Sequence, residues 1–192
     1  MFNTKKVFSY LITIVIAIVG IYLLQPYFND YKKQNQYSFE LSNINGTLNN
    51  ESFKGKNLAI FFGYTFCPDV CPTSLSSIAQ ALNELPKEKS DMVKGLFISV
   101  DPDRDKLKNL DEYAKYFHKN FEGATSTKEN IDDITKRFAA YYEKIELKNS
   151  QMDYSVSHTS YIYIFDKDGN FVEKIDHFSD PAYIKSVLNK LL

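Results

Sequence analysis

The chemistry available to this chain centres on two residues. Cys67 and Cys71 stand four apart in Phe66-Cys67-Pro68-Asp69-Val70-Cys71-Pro72, and the sequence holds no other cysteine. In a helical turn, residues four apart share one face at a rise of about 6 Å. A disulfide usually spans ~4.4–6.8 Å between Cα atoms, so this pair can close with modest adjustment. Open, it points two sulfurs the same way, and a helix N-terminus nearby favours thiolate over thiol. Three roles follow. A structural disulfide would staple little, because so short a loop removes little chain entropy. Thiol–disulfide catalysts more often space their cysteines by two residues. Two converging thiolates can also hold a soft metal: Cu(I), zinc or an iron–sulfur cluster. Two cysteines exclude a four-cysteine cluster or zinc ribbon within one chain, so a metal would need a third donor from elsewhere.

The sequence offers three histidines as that donor. His118, between Phe117 and Lys119, reads as a solvated histidine at a helix C-terminus. His177, in Asp176-His177-Phe178-Ser179, reads as a surface-loop residue. Topology sets His158 apart. In the fold order developed below, the strand it precedes runs antiparallel to the strand leading into Cys67. The start of one then lies beside the carboxyl end of the other, at the edge where open α/β sheets hold their ligands. Cys67, Cys71 and His158 are therefore the candidate donors. Asp101-Pro102-Asp103-Arg104-Asp105 falls on the same edge. It reads as a turn with Asp105 as a helix N-cap, with Asp101 or Asp103 able to support a ligand by hydrogen bonding. Asp69 either tunes the charge of the cysteines or faces water. Met152 offers a thioether but reads as a surface-loop residue.

These residues need a scaffold. A short strand is predicted over 39–42, with Asn45-Gly46 as a hairpin turn signal. The run LAIFFGY at 58–64 is nearly continuously apolar, as in a strand buried on both faces. A helix is predicted over 73–85, with Leu75, Ile78, Ala79, Leu82 and Leu85 on one stripe. A second buried strand falls within 93–100, and amphipathic helices over 107–117 and 131–141. Residues 159–165 and 171–175 form strands joined by Asp166-Lys167-Asp168-Gly169-Asn170, an antiparallel hairpin. A final helix at 181–192 has proline in its first turn. This order is that of a thioredoxin-like α/β fold: a central mixed sheet with flanking helices.

The chain has 192 residues, of which 44% are hydrophobic, enough for one domain with a real core plus a tail. The 23 Lys+Arg against 24 Asp+Glu leave no basic surplus, so no nucleic-acid partner is expected. The stretch VFSYLITIVIAIVGIYLL at 7–24 is 18 residues without a charge. As a helix it would cover about 27 Å, close to the ~30 Å hydrocarbon core. Lys5 and Lys6 precede it, which orients the N-terminus to the cytoplasm. QPYFND follows Leu24 without a small-x-small cleavage site, and no cysteine lies here for a lipid anchor. Residues 1–28 therefore read as an uncleaved single-pass anchor, 29–37 as a polar tether and 38–192 as the folded domain.

Three blocks, FGYTFCPDVCPTSL, SVDPDRD and DYSVSHTSYIYIFDKDGNF, resemble those of the SCO/SenC proteins, in the same order and with compatible spacing. The resemblance covers roughly residues 38–190. It implies a thioredoxin-like fold, copper bound through Cys67, Cys71 and His158, and a role in assembling the binuclear copper centre of cytochrome c oxidase. The implied state is Cu(I), with Cu(II) as a second form. The implied partners are the copper-site subunit of the oxidase and a thiol reductant protein, since the compartment beyond the membrane favours disulfides. The domain would face the periplasm from the inner membrane, as a carrier rather than an enzyme. Two other roles remain: a tethered thiol–disulfide reductase, and a redox or copper sensor. Many relatives have an acid immediately before the ligand histidine, where this chain has Ser157. Thioredoxins carry a proline before the corresponding hairpin strand; here none occurs between Pro102 and Pro181.

Overall fold

The computed structural model of the chain describes residues 4–147 and 153–192, without the side chains of residues 4–7, 9, 11–12 and 29–34. It divides into two units, residues 1–37 and 38–192. The first is one helix, α1 (Thr4–Gln36). Among the described residues no helix is long and apolar enough to cross a membrane. Part of the expected span over 7–24 lies outside the residues whose side chains are described.

In the second unit, β1 (Glu40–Asn43) and β2 (Gly46–Asn49) form a hairpin. Its loop is Ile44-Asn45, and Gly46 follows at φ 127°, a conformation glycine adopts freely. A 3-10 turn (Asn50–Phe53) then leads to β3 (Asn57–Gly63), every residue of which is buried. α2 (Val70–Asn83), α3 (Lys87–Ser90), β4 (Val93–Ser99), α4 (Leu107–Phe117) and β5 (Phe121–Ala124) follow. Then come α5 (Lys128–Arg137), β6 (Tyr142–Glu146), β7 (Tyr154–His158), β8 (Tyr161–Phe165), β9 (Phe171–Asp176) and α6 (Pro181–Lys190).

The main sheet has the order β5-β4-β3-β8-β9. β3 is central, parallel to β4 and antiparallel to β8, with Leu58 opposite Phe165 and Phe61 opposite Ile162. Its unbroken apolar run is required because side chains on both faces are covered. Phe62 meets Phe138 and Tyr163 edge-on, with ring centroids 5.2 and 5.8 Å away. On the other face lie Phe61 and Gly63, with the Cys71 sulfur of α2 and the Phe97 ring against Gly63. The β8–β9 hairpin turns at Gly169, φ 85°, with Asp166 Oδ1 accepting from the Asp168 and Asn170 amides.

The structure moves several predicted boundaries. α2 starts at Val70 rather than 73, so Cys71 lies in its first turn. Pro72 is tolerated there because first-turn amides have no intrahelical acceptor. The helix expected at 131–141 is α5, capped by Thr127, whose hydroxyl accepts from the Asn130 amide. It ends because Ala139 turns left-handed at φ 51°, a cap usually filled by glycine. Asp105 is not a helix N-cap; Lys106 holds that position, and Asp105 is buried. His118 is buried too, not solvated. Its Nδ1 accepts the Asn120 amide in the direct turn from α4 to β5, and burial lowers its pKa. His158 ends β7, a strand that pairs only with β6, and β8 starts three residues later.

Gly123 of β5 meets the backbone of α4: a Cβ there would sit 2.2 Å from the Leu110 carbonyl oxygen. Gly123→Ala would force α4 off the sheet at a cost of about 1–3 kcal/mol. For a domain of this size the expected result is a midpoint lower by roughly 3–10 °C in thermal denaturation followed by circular dichroism.

Candidate metal centre

Cys67 lies in the loop between β3 and α2, and Cys71 at the start of α2. The loop is tied down at its first residues. The Val100 amide donates to the Gly63 carbonyl, and the Cys67 amide to the Tyr64 carbonyl. The Thr65 amide and hydroxyl donate to the buried Asp105 carboxylate at 3.0 and 2.5 Å. Ser99 Oγ, at the end of β4, donates to the same carboxylate at 2.5 Å. Asp105 therefore pins the start of the cysteine loop to the end of β4, while burial pushes its carboxyl pKa up.

The two sulfurs differ. Cys71 is fully buried and Cys67 half-buried, and both are free thiols. The Cys71 thiol donates to Cys67 Sγ, which drives the Cys67 pKa down to about 3. A hydrogen bond with His158 and the backbone amides of Asp69 and Cys71 act in the same direction, against partial burial. Burial pushes Cys71 the other way, reinforced by the neighbouring Cys67 charge. The result is one half-buried thiolate beside one sheltered thiol.

His158 completes the group. Its Nε2 lies 3.3 Å from Cys71 Sγ, and its Nδ1 lies 3.1 Å from the Thr159 carbonyl oxygen. With its proton on Nδ1, satisfying that carbonyl, the ring would offer an ion the Nε2 lone pair in place of its hydrogen bond with Cys67. Phe61 and Tyr64 meet the ring edge-on, with centroids 6.1 and 6.0 Å away. One donor atom from each of Cys67, Cys71 and His158 falls within 4.8 Å of the others. Bonds of ~2.3 Å to a trigonal ion would set the donors about 4 Å apart, between the 3.3 Å of the Cys71–His158 pair and the 4.8 Å limit of the group.

The other candidates lie elsewhere. Asp69 is exposed; its carboxylate meets Thr73 Oγ1 at 3.5 Å, and it is its amide that serves Cys67. Asp101 is buried and taken up by Arg104 Nε at 2.5 Å and the Tyr154 hydroxyl at 2.8 Å. Asp103 pairs with Lys144. None of the three belongs to the donor group. His177 is half-buried against Phe178, with ring centroids 3.7 Å apart. Met152 lies outside the described residues. The sequence reading missed Gly63 and Asp105 as supports for the loop. A glycine ending an otherwise bulky apolar strand just before the cysteines was the signal for the first.

Residues 29–192 match the SCO1/SenC family model. The chain is 36% identical over 151 residues to an SCO2-like protein of Rickettsia prowazekii (strain Madrid E), covering 78% of this chain and 72% of that protein. It is 35% identical over 125 residues to the human mitochondrial protein SCO1 homolog, covering 64% of this chain and 41% of that protein. Among solved structures it resembles Bradyrhizobium japonicum ScoI with copper bound, with a TM-score of 0.71 and 36% identity, covering 81% of this chain and 98% of that one. Arabidopsis thaliana ScoI with copper bound gives a TM-score of 0.73 at 33% identity, covering 80% of this chain and 95% of that one. By its sequence over residues 29–192 and its mixed-sheet fold, the chain belongs to the SCO1/SenC family.

Proposed function

We propose that this protein is a membrane-tethered copper carrier that serves cytochrome c oxidase assembly. The observation that carries the reading is the convergence of Cys67, Cys71 and His158 from chain segments far apart in sequence. Two thiolates and a neutral imidazole make a soft, low-coordinate set suited to Cu(I), and the imidazole also suits Cu(II). The copper-bound relatives support copper over other thiophilic metals. The half-buried Cys67 gives an incoming partner ligand access, so copper can pass by stepwise exchange to the copper-site subunit of the oxidase. Oxidation of the Cys67 thiolate and the Cys71 thiol to a disulfide releases two electrons and one proton and withdraws both sulfur donors. A thiol reductant protein would restore them.

The apolar run at 7–24 supports the tether. Ile14, Val15, Ile16, Ile18 and Val19 are among the large apolar side chains that α1 leaves exposed, a surface suited to lipid. Lys5 and Lys6 orient the N-terminus to the cytoplasm and the domain to the far side of the inner membrane.

A specific observation also favours a second reading. Cys67, half-exposed and held as a thiolate, has the character of an attacking sulfur in thiol–disulfide exchange. Substitution of His158 separates the two readings, since exchange needs only the cysteines.

The reduced domain should bind about one Cu(I) by metal analysis, the diamide-oxidised domain almost none. His158→Ala should keep Cu(I) on the two thiolates but lose the wild-type Cu(II) spectrum and copper delivery, while His177→Ala changes neither. Wild-type spectrum and delivery in His158→Ala would remove the imidazole from the site and leave exchange as the better reading.

Gly63→Ala would set a Cβ 2.6 Å from Cys71 Sγ, displacing that sulfur or the strand. Cu(I) affinity measured by competition with a chromophoric chelator should fall about tenfold or more, as when groups that orient a ligand are altered. The full chain should fractionate with membranes and resist carbonate extraction, whereas residues 38–192 alone should remain in the supernatant.

A further inference from the structure

The strand that presents His158 is not hydrogen-bonded into the main sheet. β6 and β7 form a separate two-stranded sheet, and such a hairpin has little stability of its own in water. Side-chain contacts therefore set its orientation. Tyr154, Val156 and His158 alternate onto one face of β7. His158 meets Cys71, and Val156 is buried, its amide serving the Tyr64 hydroxyl. Tyr154 meets Arg104.

Arg104 ties three segments together. Its guanidinium carbon lies 3.7 Å from the Tyr154 ring centroid, 4.9 Å from that of Phe66 and 5.6 Å from that of Tyr64. Nη1 donates to the Tyr154 carbonyl at 2.9 Å, and Nε to the buried Asp101 at 2.5 Å. Asp101 in turn accepts the Tyr154 hydroxyl at 2.8 Å. A flat, charged group is thus stacked between the residue preceding Cys67 and the far end of the strand that ends in His158. Only arginine combines that stacking with a fork of donors.

We propose that Arg104 is a positioning residue: clamped on Asp101, it fixes the rotation of β7 against the cysteine loop and so aims the His158 imidazole at the sulfurs. The geometric part stands on the contacts above; its effect on affinity rests on the copper reading.

The test uses the full chain in detergent micelles, with Arg104→Met. In the metal-free protein, nuclear Overhauser contacts between the His158 and Tyr64 rings should disappear while those between Phe62 and Tyr163 persist. If the core contacts vanish too, Tyr154→Leu removes the hairpin half of the clamp, leaves Arg104 on Asp101, and carries the same expectation. Cu(I) affinity should fall about tenfold in Arg104→Met. In a His158→Ala background the same substitution should cost nothing further, because Arg104 acts only through that imidazole. Equal losses in the two backgrounds, or intact His158–Tyr64 contacts in a folded variant, would overturn the proposal. If the wild type binds no Cu(I), the carrier reading fails and the ring contacts still decide the clamp.

Discussion

His158 reaches the sulfurs from 87 residues beyond Cys71, and β8 makes that possible by running antiparallel to β3. A parallel neighbour would deliver its first residues to the opposite edge of the sheet. The pairing of Leu58 with Phe165 and Phe61 with Ile162 fixes the register, so the chain entering β8 arrives where β3 hands over to the cysteine loop. The buried aromatic cluster of Phe62, Phe138 and Tyr163 holds that pairing from one face. A slip of one residue would turn Tyr163 out of the cluster and move His158 along the edge.

At this edge the surroundings divide the labour between the sulfurs. Cys71 is packed on Gly63 in the core, where a sulfur behaves as a small hydrophobe until it is deprotonated. Cys67 is turned outward and surrounded by donors: the Cys71 thiol and the amides of Asp69 and Cys71. Neutral donors stabilise a thiolate without a fixed positive counter-charge beside it. A buried acid at this edge, Asp105, instead serves the Thr65 amide and hydroxyl, and its charge raises the Cys71 pKa.

Much of this was legible in the sequence, and the illegible parts have physical reasons. The centres of β3 and β4, LAIFF and LFI, are apolar because helices cover the sheet, and that pattern survives without any knowledge of partners. The α4 boundaries were readable from its apolar stripe, and the β8–β9 hairpin from DKDGN. The β6–β7 hairpin gave no signal: among its residues only Val156 is buried, so neither strand alternates strongly in hydrophobicity. The roles of Asp105 and His118 were hidden because a short polar segment reads as a turn or a cap unless tertiary packing is known. For the same reason the acidic triplet at 101–105 looked like ligand support. Asp101 and Asp105 instead tie separate segments together through Arg104 and Thr65.

Ser157 also takes its meaning from the hairpin. It is exposed, next to His158 in sequence but on the opposite face of β7, and it stands across from Glu143 of β6. A carboxylate at that position would face Glu143, a like charge directly across the ladder, which is destabilising. Serine avoids that repulsion. With His158 Nδ1 directed to the Thr159 carbonyl, the ring orientation is set from the backbone and needs no acid beside it. The imidazole is thus oriented by three influences: the carbonyl behind it, the edges of Phe61 and Tyr64 around it, and the contacts along the inner face of β7. The hairpin makes no ladder bond to the main sheet, so its hold there is the two-residue connection from His158 to β8 together with packing. The donor set therefore combines a sulfur on the loop after β3, a sulfur in the first turn of α2 and a nitrogen at the end of a hairpin that stands outside the main ladder, so its geometry depends on how that hairpin packs against the cysteine loop.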